Sequence, residues 1–356
     1  MNERKKLYNK ISFALLLILC ITIYLYSQPK PDSEQILVGN VFGVERYRII
    51  IITNQPETKV EEFHKSILAP FLKSFNQEFS TYISDSFLSK LNHSELNTTM
   101  TTSKNFDVAF EECLIINKET EGAFDPSIGS LINLWGFGEK KNDLKDITEE
   151  EISRVKAQTG LDAFVWKKGS IQKVKNASLN LSSVAEGFAV DLVAKLLDEK
   201  GFKNYLIDIG GENYAKGAKI DGSPFKIGLE IPNDYNNSED ENFKYIVQLK
   251  DESIATSGNY KQFYFKDGKR FSHIIDPKTG HPSQNNLASV TVITKNCMRA
   301  DTINTAFMVM GLDKSLKYVN EHPEIDALFV IRKNENEFET VMSKGFSRHI
   351  VLSSYK

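Results

Sequence analysis

Residues 182–209 read SSVAEGFAVDLVAKLLDEKGFKNYLIDI, and this stretch decides the fold class. Its first half has apolar side chains at helical spacing, which predicts a helix that stops near Gly201. Those side chains belong to Ala185, Phe188, Ala189, Leu192, Val193 and Leu196. Ser183 followed by Glu186 is typical of a capping box at the start of this helix. The second half, Tyr205–Ile209, predicts a strand that follows the helix directly.

Outward from this stretch, predicted helices and strands continue to mix. Strands are predicted at Tyr47–Thr53, Phe225–Ile231, Ile246–Leu249 and Ser289–Thr294. Helices are predicted near residues 60–79 with a kink or break at Pro70, near 106–122, from a Thr148/Glu151 capping box to Gly160, and over 300–310 up to Gly311. Asp267-Gly268 between two β-rich runs, Phe263–Phe265 and Arg270–Ile275, predicts a hairpin. Because strict βαβ alternation is missing, the sequence predicts an α+β fold with mixed sheets and packed helices.

Composition places the chain among ordinary globular proteins. Its 356 residues are 41% hydrophobic and 26% charged, enough for a sizeable core. Forty-four Lys and Arg stand against 47 Asp and Glu, and no basic stripe interleaved with aromatic residues occurs, so nucleic-acid binding is not favoured. Beyond Cys20 only Cys113 and Cys297 remain, which excludes a disulfide framework. Cys113 lies on the apolar side of a predicted helix and is expected in the core.

The first 35 residues differ from the rest and form a separate predicted unit, with one globular domain over residues 36–356. A basic segment precedes the apolar run Ile11–Tyr26, a pattern of export signals and uncleaved anchors. Cys20 allows a lipoprotein interpretation, but the preceding Leu19 is not the small residue that lipid attachment prefers. Lipidation and an ordinary anchor cysteine therefore stay open. Either way we expect the protein on the cytoplasmic membrane, with residues 36–356 on the outer, periplasmic face.

Four segments carry candidate chemistry, and each has a purely structural alternative. Residues 122–126 (GAFDP) with 133–138 (NLWGFG) can stack against a flat ring or form a turn with an apolar plug. The amides and hydroxyls near residues 182–186 can cradle a phosphate or only cap a helix. The glycines of 208–212 (DIGGE), paired with 254–260 (IATSGNY), indicate close ligand approach or a bulge.

The fourth segment is SHIIDPKTG at 272–280, followed by Asp301 and Thr305. The last two lie four residues apart, hence on one helix face, where their oxygens could share a hard cation or merely face solvent. His273 is a candidate general base because imidazole titrates near neutrality, although it could equally be a strand residue satisfied by a hydrogen bond. Asp276 is expected to shape the turn before Pro277.

Taken in order, these motifs resemble the ApbE family over about residues 36–350. The resemblance rests on FDPSIG, LWGFG, SSVAEGFAVD, IGGE, ATSGNY, SHIIDPKTG and ADTINTA, and on STY at 80–82 with Ser86 and SKLN at 89–92. It implies an α+β fold, FAD binding and transfer of FMN from FAD to a protein, by a flavoprotein at the outer face of the cytoplasmic membrane.

By position, the resemblance implies a metal held by the Asp301 carboxylate, the Thr305 hydroxyl and the backbone carbonyls of Ala185 and Asn304. It places FAD against Phe42, Tyr82, Ala123, Phe124, Asp125, Ser182, Phe188 and Ile275. The sequence departs from the family in two places. Phe42-Gly43-Val44 replaces the usual Met-Gly-Thr, and Glu186 stands where many members have Lys.

The implied reaction uses Mg²⁺ on the diphosphate of FAD as substrate, attack by a Ser or Thr hydroxyl of an acceptor protein, and release of AMP. His273 would remove the hydroxyl proton. The alternatives are hydrolysis of FAD to AMP and FMN, and a non-catalytic FAD-binding lipoprotein. The family suggests an acceptor among the subunits of membrane redox complexes, such as the sodium-pumping NADH:quinone oxidoreductase.

Overall fold

The computed structural model describes residues 6, 8, 13, 15–18, 31–42, 45–139, 146–230, 243–260, 262–266, 268–334 and 337–353. The strands are β1 Ser33–Val41, β2 Glu45–Thr53, β3 Thr99–Thr101, β4 Phe164–Lys167, β5 Ser170–Lys173, β6 Asn204–Ile209, β7 Glu212–Lys216, β8 Phe225–Glu230, β9 Phe243–Leu249, β10 Glu252–Gly258, β11 Phe263–Lys266, β12 Lys269–Ser272, β13 Leu287–Thr294, β14 Asp326–Arg332, β15 Phe338–Met342 and β16 Ile350–Ser353. The α-helices are α1 Glu57–Phe63, α2 Ala69–Phe79, α3 Phe87–His93, α4 Lys104–Glu119, α5 Gly129–Leu134, α6 Glu149–Lys156, α7 Ser182–Glu199, α8 Cys297–Met310 and α9 Leu312–Glu321.

An eight-stranded sheet forms the centre of the fold, in the order β1-β2-β6-β7-β10-β13-β14-β15, with every neighbouring pair antiparallel. Helices α7 and α8 pack on one face of this sheet. The three-stranded sheet β16-β9-β8 covers part of the other face. The α+β prediction is confirmed.

The isoleucine run of β2, residues 49–52, lies where both faces of the sheet are covered. Ile49 and Ile51 point into the core beneath the helices. Ile50 and Ile52 point to the opposite face and pack against the cluster around the three-stranded sheet. Because successive side chains alternate between faces and both faces are covered, four consecutive apolar residues are required here.

Most local predictions are confirmed. The Thr148/Glu151 capping box is present, the strand at 47–53 forms, the 263–272 hairpin forms, and Gly311 ends α8 with a φ of 77°. Pro70 lies in the first turn of α2, directly after a π-helical segment, His64–Leu68, that joins α2 to α1. Cys113 is fully buried.

Two local predictions differ from the structure, and several elements were not predicted. The Ser183/Glu186 capping box is absent, since α7 begins after Leu181 without a side-chain cap and Ser183 leaves helical dihedral angles. The strand predicted over Arg270–Ile275 ends at Ser272. The polar strands β7 and β10 were not predicted, because their Glu, Asn, Thr and Ser residues carry little hydrophobic pattern.

The N-terminal prediction lies mostly outside the described residues. Cys20 and most of the run Ile11–Tyr26 belong to that part. In the described part, none of the helices has the length and apolar character needed to cross a bilayer. Strand β1 starts at Ser33, three residues before the predicted start of the globular domain.

Candidate active site

A cavity of about 300 Å³ opens beside the ends of β10 and β12 and the first turn of α7. Eleven of the thirteen predicted site residues line it: Phe42, Tyr82, Ala123, Phe124, Asp125, Ser182, Ala185, His273, Ile275, Asp301 and Thr305. Phe188 does not; its ring is buried edge-on against Phe75 and Phe79 in the core. Asn304 is fully buried behind the wall and contacts a lining residue, Ser257, through its side chain.

Helix α8 carries Asp301 and Thr305, and its first turn is held at two points. The Asn296 side chain accepts a hydrogen bond from Arg299 N at 2.8 Å. The Asp191 carboxylate, from α7, accepts from Cys297 N and Met298 N, both at 2.9 Å. Burial raises the pKa of Asp191 to about 6, against the lowering effect of these two amides. The position of α8 is therefore fixed by α7.

The two helices lie in close contact at Gly187. A Cβ there would lie 2.4 Å from Cys297 O and 2.8 Å from Asp301 Cβ, so only glycine fits. Gly187 N donates to Asp301 Oδ2 at 3.0 Å. Asp301 is buried, with 5% of its surface exposed, which contradicts the alternative that it lies on a solvated helix face.

Thr305 lies one turn after Asp301, as predicted. Its Oγ1 is 3.4 Å from Asp301 O and 2.9 Å from the hydroxyl of Ser257 on β10. The carboxylate and the hydroxyl both reach the cavity, together with Ala185 at the start of α7. These three residues form one oxygen-rich wall.

Three amides in the first turn of α7 already have acceptors. Val184 N and Ala185 N bond to Leu181 O at 3.0 and 2.8 Å. Ser182 N and its hydroxyl both bond to Asn180 Oδ1, at 3.0 and 2.6 Å. Because the amides of Ser182, Val184 and Ala185 have acceptors in their own turn, a phosphate cradle here would depend on the other amides of residues 182–186.

His273 lies just beyond the end of β12 and lines the cavity. Its Nδ1 is 3.1 Å from the carbonyl oxygen of Gln262. A carbonyl only accepts, so Nδ1 carries the proton in the neutral ring and the basic lone pair is on Nε2. The ring lies edge-on to Phe137, with centroids 6.3 Å apart.

Stacked rings attach the β11–β12 hairpin to the segment after α5. Phe137 stacks on Tyr264 at 5.4 Å, Tyr264 on Phe271 at 5.6 Å, and Phe271 on Trp135 at 5.5 Å. The Trp135 indole donates to Gly280 O at 2.8 Å. Within the predicted NLWGFG cluster, Phe137 lines the cavity whereas Trp135 lies behind it. These four rings, Phe137, Tyr264, Phe271 and Trp135, form a ring column that holds the end of β12, next to His273.

The turns at Asp276 and at Gly210-Gly211 differ in their contact with the cavity. Asp276 accepts from Lys278 N at 2.8 Å and does not line the cavity, so it shapes the turn as predicted. Gly210 and Gly211 form the two-residue turn between β6 and β7 with φ of 69° and 108°, not a bulge. Gly210 lines the cavity, which agrees with close approach to a ligand.

The charged side chains that line the cavity are acidic. Asp125, Glu186, Glu212 and Asp301 line it, and no Lys or Arg occurs among the lining residues that the structure describes. Burial raises the pKa of Asp125, whose Oδ1 accepts from Ser127 N. An anionic ligand in this cavity would need a counter-cation.

The donor set fits Mg²⁺. No group of three or more His, Cys, Asp or Glu side chains that could hold a metal is found in the described part of the chain. Mg²⁺ typically binds through one or two carboxylates together with substrate phosphates and water, not in a complete protein cage. Asp301, Thr305 and a backbone carbonyl at Ala185 supply such a partial set.

Ser257, Glu212 and Phe137 are among the lining residues that sequence reasoning did not assign to the site. Each stands inside a motif that was noticed, and each lies next to a glycine. The signal was therefore present, but only the fold shows which side chain of each motif faces the cavity.

Comparisons with known proteins show the family of this chain. The sequence profile of the ApbE family matches residues 46–329. The FAD:protein FMN transferase of Haemophilus influenzae is 37% identical over 294 residues, covering 81% of this chain and 83% of the relative. The flavin transferase ApbE from Vibrio cholerae superposes with a TM-score of 0.79 at 33% identity, covering 90% of this chain and 100% of that structure. The apo flavinyl transferase ApbE of Pseudomonas stutzeri gives a TM-score of 0.79 at 31% identity, covering 91% and 98%. This chain belongs to the ApbE family.

Proposed function

We propose that this protein transfers the FMN part of FAD to a Ser or Thr hydroxyl of an acceptor protein, with Mg²⁺ and with release of AMP. Flavin transfer is the activity in the names of its relatives. The Mg²⁺ requirement, the hydroxyl acceptor and the AMP product are the finer parts of the proposal. The observation that carries them is one cavity that contains the Asp301/Thr305 oxygen wall and His273.

Charge supports the metal requirement. A diphosphate in this cavity would face four carboxyl side chains and no described Lys or Arg. Mg²⁺, when bound, supplies the positive charge that neutralises the leaving phosphate and polarises the phosphorus. Asp301, Thr305 and the Ala185 carbonyl would hold it. The Gly187–Asp301 hydrogen bond keeps the carboxylate in place for that task.

Proton transfer is assigned to His273. The acceptor hydroxyl oxygen forms a bond to the FMN-side phosphorus, the bond from that phosphorus to the AMP-side oxygen breaks, and the hydroxyl proton goes to His273 Nε2. The Gln262 carbonyl holds the Nδ1 proton and so fixes the tautomer that this step needs.

Incubation with FAD, Mg²⁺ and a candidate acceptor tests the proposal. Covalent flavin fluorescence on the denatured acceptor, together with AMP, is the expected result. Free FMN with AMP would mean hydrolysis, and unchanged FAD would mean that the protein only binds it. Each of the last two outcomes contradicts the proposal.

We further propose that the N-terminal residues tether the domain, by an anchor or by a lipid on Cys20, to the outer face of the cytoplasmic membrane, where a subunit of a membrane redox complex is the acceptor. The basic and apolar pattern of residues 4–26 supports this. Protease added to intact spheroplasts should digest the globular domain. Digestion only after lysis would contradict the orientation.

A further inference from the structure

Ser257, at the end of β10, makes two hydrogen bonds to helix α8. Its Oγ is 2.7 Å from Asn304 Oδ1 and 2.9 Å from Thr305 Oγ1. Asn304 is fully buried, and Ser257 and Thr305 both line the cavity. Three polar side chains on two elements therefore form one short chain that ends at the cavity wall.

The proton positions in this chain follow from counting donors. A serine hydroxyl has one proton. Ser257 donates that proton to Asn304 Oδ1, so at its contact with Thr305 it must accept. Thr305 is then the donor, and its hydroxyl proton points at Ser257. The lone pairs of Thr305 Oγ1 are directed away from Ser257.

This direction matters because a neutral hydroxyl binds a cation through a lone pair. A proton that pointed at the cation would oppose binding. Without Ser257, the other acceptors for the Thr305 proton are Asn304 Oδ1 at 3.3 Å and Asp301 O at 3.4 Å. Both are longer than the 2.9 Å contact, and hydrogen bonds weaken at such distances.

The neighbouring residue on β10 behaves differently and supplies a control. Thr256 Oγ1 is 2.9 Å from Thr291 Oγ1 on β13. Thr291 is buried and is not among the lining residues. Of these two neighbouring hydroxyls on β10, that of Ser257 bonds to α8 and that of Thr256 bonds to β13, since successive side chains of a strand point to opposite faces.

We propose that Ser257 is a positioning residue that takes the Thr305 proton and so presents the Thr305 oxygen to Mg²⁺. It acts through Thr305 and not on the flavin nucleotide. This inference rests on the proposed metal site. The experiment distinguishes a failure of the Ser257 role from a failure of the metal site.

Mg²⁺ is titrated calorimetrically into the FAD-loaded protein without acceptor, and FAD affinity is measured separately in EDTA. Ser257→Ala should weaken Mg²⁺ binding about 10- to 100-fold, as expected for a partner of a metal ligand, with FAD affinity in EDTA unchanged. Ser257→Thr keeps a hydroxyl and should restore most of the binding. Thr291→Val, which removes a buried hydroxyl of the same sheet, should bind Mg²⁺ like the wild type.

The outcomes distinguish the inference from the proposed function. If Asp301→Ala abolishes Mg²⁺ binding while Ser257→Ala binds normally, the metal site stands and the role of Ser257 is refuted. If Ser257→Ala loses FAD affinity in EDTA, the residue contacts the nucleotide and the inference is also refuted. If Asp301→Ala binds Mg²⁺ like the wild type, the proposed metal site itself is wrong.

Discussion

The two walls of the cavity are built in different ways. The helical wall, made of Asp301, Thr305 and Ala185 with Ser257 behind Thr305, is held by hydrogen bonds between buried groups on α7, α8 and β10. The hairpin wall, made of His273 and Phe137 where the β11–β12 hairpin meets the cavity, is held by stacked rings, and the Phe265 side chain of the hairpin is 55% exposed. A metal and a diphosphate require fixed oxygens, whereas a protein acceptor requires an accessible surface. The difference fits the proposed division, with phosphate chemistry at the helical wall and proton transfer and acceptor approach at the hairpin wall.

The largest expected effect comes from the helical wall. Asp301→Ala removes the only carboxylate among the proposed metal ligands, so Mg²⁺-dependent AMP release should fall by about 10³-fold or more, as expected when several kcal/mol of Lewis-acid stabilisation are lost. AMP release is measured in single turnover at ordinary Mg²⁺ concentrations. Full activity in this variant would refute the metal assignment.

The next effect belongs to the hairpin wall and should leave the helical wall intact. His273→Ala should slow transfer by about 10²-fold, the lower end of the range for loss of a general base. Mg²⁺ and FAD affinities should stay within a few-fold of the wild type, because His273 is not among the metal ligands. A rate close to wild type at saturating FAD and acceptor would exclude the catalytic role.

A smaller effect tests the ring column. Phe137→Ala removes the ring that contacts both Tyr264 and His273. Each lost ring contact is worth about 0.5–1.5 kcal/mol, so the melting temperature and the transfer rate should both decrease, with Mg²⁺ affinity unchanged. Phe265→Ala on the same hairpin, outside the column, is the matched control. Equal effects of the two variants would show that the column does not position His273.

The two walls also differ in how far the sequence predicts them. The Asp301/Thr305 pair and the β11–β12 hairpin depend on spacing within one turn or one loop, and the structure has Asp301 and Thr305 one turn apart and β11 paired with β12. The Ser183 cap is absent because the chain enters α7 through an Asx turn, in which Asn180 Oδ1 accepts from Ser182 N and from the Ser182 hydroxyl.

Contacts between segments that are distant in the sequence could not be predicted from the sequence. Asp191 bonds residues 106 and 107 positions away, and Ser257 bonds residues 47 and 48 positions away. Phe188 was placed against FAD by family position alone, and the fold turns its ring into the core. Long-range pairing, not residue type, decides these roles.

The smallest effect concerns Asp191, which fixes α8 from α7. Its pKa is raised from 3.8 to about 6. Between about pH 4 and pH 6, the folded state therefore keeps a proton on Asp191 that the unfolded state has released. The stability that this provides is fully present below about pH 4 and is lost as the pH rises through about 6. Melting temperatures of the wild type and of Asp191→Asn should therefore converge or cross between these values. Parallel pH profiles would contradict the raised pKa.

The central claim is that AMP leaves only as FMN is joined to the acceptor. The most direct test is a single-turnover reaction in which AMP and acceptor-bound FMN are quantified in the same sample, with Mg²⁺ and after chelation by EDTA. The account predicts equal amounts of the two products with Mg²⁺ and neither with EDTA. AMP in excess, with free FMN in solution, or product formation that continues in EDTA, would contradict it.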